Sequence, residues 1–173
     1  MGVLIDWISQ PSKSCDLLLV AMPGVGDVGK LAIDAVNAEL DAEPIARILH
    51  PALPPLAKLD EDGLLAPPHI LLSRVIVDGR EVYTLTGDAQ PMTPEGQHEL
   101  AVSVLELCEG GEVLVLAGMS AQAERKEVFT ITSSSSYRIE LESMGADVRR
   151  DEPKAGVIGM AALITAIGPI KNV

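Results

Sequence analysis

The residues best suited to chemistry by type and spacing are Gly24, Gly26, Asp27, Gly29 and Lys30 near the start of the chain, and Asp88 and Gln90 in its middle. The first group belongs to Gly24-Val25-Gly26-Asp27-Val28-Gly29-Lys30, a G-x-G-x-x-G that follows an apolar run and opens an amphipathic one. In that context backbone N–H groups and the helix dipole can hold an anion such as a pyrophosphate. A dinucleotide site also needs an acid about 20 residues further on, at the end of the second strand, for the ribose hydroxyls. Here that strand ends at His50-Pro51, and the nearest acids, Asp41 and Glu43, precede it. The simpler reading is that the glycines allow a tight strand-to-helix turn and close helix–sheet packing. A dinucleotide, or another anion or small ligand, stays open beside it. Gly29-Lys30 does not complete a Walker loop, because the spacer is too short and Leu31 stands where a Ser or Thr would reach magnesium.

The second group, Gly87-Asp88-Ala89-Gln90-Pro91, falls at the carboxyl end of a strand, where open α/β sheets bind ligands. Asp88 can accept from a ligand hydroxyl and Gln90 can read an amide or a base edge. The simpler reading has both satisfying loop backbone groups ahead of Thr93. His50, His69 and His98 have no metal-ligand spacing and read as loop or solvent-facing residues. Cys15 and Cys108 have no paired spacing, and Cys108 falls near the end of a helix on its apolar side, as a core thiol rather than a nucleophile. The serines at 133–136 cap the helix that follows, with a phosphate-binding loop as the alternative. No G-x-S-x-G elbow occurs. The sequence therefore names no catalytic residue, no metal ligand and no required cofactor, and leans away from an enzyme.

Composition narrows the classes further. The chain has 173 residues and a net charge of −12, and Trp7, Tyr83, Phe129 and Tyr137 are its only aromatic residues. A nucleic-acid partner is excluded, since there is neither a basic surface for phosphates nor a set of rings for stacking bases. At 47% hydrophobic residues the chain is too apolar for an acidic disordered tail, and its length suits one α/β domain over 1–173. The longest uncharged run, 155–170, contains Gly156, Gly159, Gly168 and Pro169 and is shorter than the roughly 20 apolar residues of a membrane span. It reads as a buried helix, and the expected location is the cytoplasm.

The elements that must position these residues follow from periodicity. The run 16–22 suits a strand covered on both faces. Val28, Leu31, Ala32, Ala35, Val36 and Leu40 then mark one face of a helix, and a strand at 44–50 completes a right-handed crossover unit. Five prolines place 51–68 in a surface excursion without regular elements. Strands at 70–77 and 81–86 flank Asp78-Gly79, a pair suited to a tight hairpin. Thr93-Pro94-Glu95 opens a helix that stops at Gly110-Gly111. Strands at 112–117 and 127–132, a helix at 134–144 and a nearly all-apolar helix at 157–167 follow. The last must lie in a core or against another subunit. The whole reads as a three-layer α/β sandwich with a mostly parallel mixed sheet and one antiparallel hairpin.

Taken together, Val20-Ala-Met-Pro-Gly-Val-Gly-Asp-Val-Gly-Lys30, Thr86-Gly-Asp-Ala-Gln-Pro91, Leu114-Val-Leu-Ala-Gly118 and Gly156-Val-Ile-Gly-Met-Ala-Ala-Leu-Ile164 resemble the proteasome assembly chaperone 2 family in its archaeal branch. The resemblance runs from about residue 16 to 168. It implies a sandwich with nucleoside-phosphorylase-like, Rossmann-like topology, homo-oligomerisation and, for some members, binding to proteasome α-type subunits. An older label of some relatives as ATP-grasp carboligases is not supported, since the chain is too short for that fold and has no matching magnesium carboxylates. Members that dock on the proteasome ring end in a hydrophobic residue, a tyrosine and any residue. This sequence ends Ile170-Lys171-Asn172-Val173, so that tail is not implied.

Overall fold

The computed structural model describes residues 2–11, 15–60, 62–120 and 126–173. Strand β1 (Leu4–Trp7) is an edge strand, largely exposed. The apolar run after Asp16 forms β2 (Leu17–Val20), and the helical period after the glycine turn forms α1 (Val28–Glu39). Next come β3 (Glu43–Leu49), two short strands β4 (Lys58–Leu59) and β5 (Leu65–Ala66), and the long strands β6 (Ile70–Val77) and β7 (Arg80–Gly87). Helix α2 (Pro94–Leu107), strand β8 (Glu112–Val115), helix α3 (Ser135–Ser143) and helix α4 (Met160–Ile167) follow.

The β6–β7 hairpin forms as expected. Asp78 and Gly79 have φ of 49° and 77°, the two positive values of a type I′ turn, and pairing runs from Val77↔Arg80 to Ile70↔Gly87. At the head of α2, Thr93 Oγ1 accepts the Gly96 N–H at 3.1 Å and Pro94 takes the first turn, where a missing donor costs nothing.

The main sheet has the order β1-β3-β6-β7-β2-β8. Four strands, β3, β7, β2 and β8, run the same way, yet only β7-β2 and β2-β8 are parallel neighbours, because β1 and β6 run against them. The sheet is thus mixed, and only its β7-β2-β8 half has the parallel arrangement of dinucleotide-binding folds. The expected crossover from β2 through α1 to β3 does not join neighbours, since the β6–β7 hairpin inserts between those two strands.

Side chains of β7 alternate between two helical layers. Tyr83 and Leu85 enter one core with Leu18, Val20, Ile48 and Ile70 from the sheet, Leu100, Val104 and Leu105 from α2, and Met160 and Ile164 from α4. On the opposite face, Thr84 Oγ1 donates to Asn37 Oδ1 of α1 at 2.7 Å. The expected three layers are therefore α1, sheet, and α2 with α4.

Three expectations are corrected. The 51–68 segment is not wholly irregular, because β4 and β5 pair antiparallel across it; Glu61, inside that segment, lies outside the described residues. Residues 127–132 form no strand of the sheet. Their backbone bonds go to a local partner instead, with Thr130 N donating to Asp147 O at 2.7 Å and Arg149 N to Thr130 O at 2.9 Å. The Arg149 guanidinium, 4.3 Å over the Phe129 ring and bonded to Glu127, holds that pairing. Helix α4 begins at Met160 rather than 157, and Ile158 before it is 89% exposed.

Helix α1 approaches the end of β8 so closely that a Cβ on Gly29 would overlap the Leu116 carbonyl. Alanine normally gains up to about 1 kcal/mol over glycine in a helix. Here overpacking against backbone, costing about 1–3 kcal/mol, should win. Gly29→Ala is expected to lower the urea midpoint with an unchanged slope; a raised midpoint would show that α1 does not rest on Leu116.

Candidate functional site

The parallel half of the sheet brings the candidate residues to one end. Pairing of Val20 with both Leu85 and Val115 sets the ends of β2, β7 and β8 level. The glycine turn, Asp88 and the segment after β8 therefore lie together at the carboxyl edge. Residues Val25–Asp27 form a 3-10 turn in which Gly26 and Asp27 have φ of 63° and 51°. A Cβ on Gly118, beyond β8, would overlap the Val25 carbonyl, so turn and strand end are in backbone contact.

Within the turn Asp27 behaves as a cap rather than as a bystander. Its carboxylate Oδ1 accepts the Gly24 N–H at 3.2 Å, and its own N–H donates to Gly24 O at 3.1 Å. One donor that a phosphate would use is thus already taken, and a negative charge stands at the head of α1. Lys30 Nζ, which could offset that charge, is bonded to Asp34 Oδ2 at 2.6 Å, one helical turn away.

Asp88 and Gln90 are engaged as well. Lys58 Nζ on β4 donates to Asp88 Oδ2 at 2.6 Å, tying the small hairpin to the end of β7. The Lys58 hydrogen bond holds the Asp88 carboxyl below its ordinary value, and the charges of Lys30 and His69 add to this. Gln90 Nε2 donates to Pro23 O at 2.6 Å, while its Oε1 accepts the Met160 N–H at 3.2 Å. A single side-chain amide thereby joins the glycine turn to the first residue of α4. The sequence placed Gln90 before the Thr93 cap; its partners are instead 67 and 70 residues away. Lys58, missed in the sequence, carried no signal there beyond being one cation among many acids.

Apolar side chains surround these paired polar groups. Val25, Val28 and Leu31 on the turn and α1 are 53%, 59% and 61% exposed, and Met119 and Ile158, next to Gly118 and Gly159, are exposed too. These side chains make the rim apolar beside the paired polar groups.

The other sequence candidates resolve plainly. His50 is not solvent-facing: its side chain is 6% exposed, with Nε2 2.9 Å from Glu99 and Nδ1 accepting the Ala52 N–H at 3.0 Å. His69 Nδ1 lies 2.9 Å from Pro67 O. Among the described residues no group of His, Cys, Asp and Glu could hold a metal ion. Ser134 caps α3 by accepting the Tyr137 N–H at 3.3 Å, as the capping reading has it. A cavity of about 480 Å³ opens beside it, and its Arg149 and Arg150 are bonded to carboxylates.

Residues 18–172 match the model of the PAC2 family. The chain belongs to the PAC2 family. This PAC2 chain is similar in fold to PbaB of Pyrococcus furiosus, an archaeal proteasome activator, with a TM-score of 0.85 and 20% identity over 99% of this chain and 77% of that one. It is similar also to PbaA of Pyrococcus furiosus, an archaeal homologue of proteasome-assembly chaperone, with a TM-score of 0.75 and 22% identity over 97% and 72% of the two chains. An uncharacterised protein of Methanocaldococcus jannaschii is 23% identical over 164 residues, which are 91% of this chain. The PAC2 chain spans 62% of the length of that relative.

Two variants examine the ties at this PAC2 edge. Gln90→Leu strands the Pro23 carbonyl and the Met160 N–H and should cost about 1–3 kcal/mol in chemical denaturation; no loss would mean that solvent satisfies both groups. Because the folded Asp88 value lies below the unfolded one, its bond to Lys58 contributes stability above the ordinary carboxylate range and loses it as pH falls through the folded value. In Lys58→Met, an NMR titration should find the Asp88 carboxyl moved up toward its ordinary 3.8, and an unmoved titration would rule out the pairing as its cause.

Proposed function

We propose that this chain is a non-enzymatic assembly or scaffold protein that forms a homo-oligomer and acts on α-type proteasome subunits. The observation that carries this reading is the likeness in fold to PbaB and PbaA over nearly the whole chain, within the PAC2 family. The carboxyl edge supports it. Asp27, Lys30, Asp88 and Gln90 spend their polar atoms on one another's segments and on the chain itself, and the rim they support is aliphatic. An acidic protein with an apolar edge can associate through that edge while its charge keeps the remaining surface solvated. No helix among the described residues is long and apolar enough to cross a membrane, and the proposed location is the cytoplasm.

The test joins light scattering and native mass spectrometry of the full chain with biosensor binding to purified α-type proteasome subunits. A defined oligomer that binds those subunits saturably is the expected result. A monomer without affinity for them overturns the proposal. A nucleotide and nucleoside panel runs in parallel: a ligand at 100 times its dissociation constant adds about 2.7 kcal/mol to stability, so a raised melting temperature would favour a ligand site at residues 24–30 instead.

A further inference from the structure

Cys15 and Cys108 are 93 positions apart and are brought together by the start of the parallel half-sheet. Register Leu17↔Glu112 places the turn before β8 against the residues before β2, and the last turn of α2 ends directly on that turn. Cys108 follows α2 at 0% exposure, and its Sγ–H donates to the Cys15 carbonyl at 3.1 Å; Cys15 is 8% exposed. Gly111 makes the approach possible, since a Cβ there would lie 2.9 Å from Cys108 Sγ and would overlap the Cys15 carbonyl. Both cysteines are free thiols in this structure.

The Cys108 Sγ–H also lies 3.6 Å from the Glu112 carbonyl oxygen. The Cys15 thiol is pushed far up, first by its hydrogen bond to Cys108 and then by burial. Cys108 is held below its ordinary value by the same bond, against the opposing effects of burial, Asp16 and Glu112.

We infer that Cys15 and Cys108 are an oxidation site, a buried dithiol that a small peroxide converts to an intramolecular disulfide. Hydrogen peroxide transfers one oxygen to the sulfur of one of the two thiols, giving a sulfenic acid and one water. The sulfur of the other cysteine then attacks the sulfenic sulfur, the S–O bond breaks, and the hydroxyl leaves with the attacking thiol's proton as a second water. Overall two thiols and one peroxide give one disulfide and two waters, with two electrons passing from sulfur to oxygen. With Cys108 0% and Cys15 8% exposed, a small peroxide is expected to react in preference to a bulky disulfide such as oxidised glutathione. The bond would fix the end of α2 to the base of β2. It would also fix the turn at Gly110, whose N–H donates to Asn172 O at 3.1 Å.

Treating the reduced full chain with hydrogen peroxide tests the site. The expected product is a monomer lighter by two hydrogens, with a Cys15–Cys108 crosslink in its peptide map. Its melting temperature should be higher by about 10 °C, from the long loop that is closed, and dithiothreitol should reverse the change. Oxidised glutathione should react far more slowly. Cys15→Ser and Cys108→Ser should each lose both crosslink and thermal gain; if neither folds, the map of the wild-type chain decides alone. Persisting thiols, sulfinic acids without a crosslink, or disulfide-linked dimers would each overturn the inference.

Discussion

Backbone-to-backbone approach at the end of β8 is the constraint on which the carboxyl edge depends. The Leu116 carbonyl and the Val25 carbonyl lie where Cβ atoms on Gly29 and Gly118 would be, so α1 and the 3-10 turn rest directly on the strand with no side chain between them. That contact sets the height of α1 over the sheet. It also places Thr84 beneath Asn37 and leaves Val25, Val28 and Leu31 facing outward. A larger residue at Gly29 or Gly118 would have to lift the helix, and the tie from Pro23 to Gln90 would lengthen with it.

Gln90 carries the arrangement across to the other helical layer. The N–H and C=O ends of its one side-chain amide hold the Pro23 carbonyl and the Met160 N–H, so the entrance to α1 and the entrance to α4 share one partner. Helix α4 has only a glycine at its cap position, which leaves its first donor to a residue from elsewhere in the chain. A motif that resembles a phosphate cradle in sequence here serves as a hub of tertiary contacts, with Asp27 in the place where an anion's charge would be welcome. Paired polar groups under an aliphatic rim suit recognition of a protein surface. Aromatic residues, which usually anchor protein interfaces, are scarce in this chain, so the exposed apolar side chains of the rim are Val, Leu, Ile and Met.

Local structure was legible wherever its cause lies within a few residues. The Asp78-Gly79 turn, the Thr93-Pro94 start of α2, the capping serine of α3 and the apolar runs of β2 and β8 each depend on neighbouring dihedrals, hydrogen bonds or periodicity, and each stands where the sequence placed it. The strand expected at 127–132 fails for the complementary reason. Its pattern suits an extended segment, but a strand needs a sheet edge, and residues 147–149 supply only a local partner. His50 lies in the loop after β3, as one of its two readings has it, and only the solvent-facing alternative fails, because contacts with Glu99 and Ala52 bury its ring.

The sequence by itself thus determined the alternation of strands and helices, the hairpin, the helix starts and the family, because these rest on short-range chemistry and on ordered motifs along the chain. Only the tertiary structure decided that the β6–β7 hairpin enters between β3 and β2, so that the sheet is half antiparallel. It alone decided that Lys58 meets Asp88, that Gln90 meets Pro23 and Met160, and that Cys15 meets Cys108. Each of these is a contact across tens of residues whose partner is chosen by where the sheet and its layers place the backbone, and no local pattern encodes that choice.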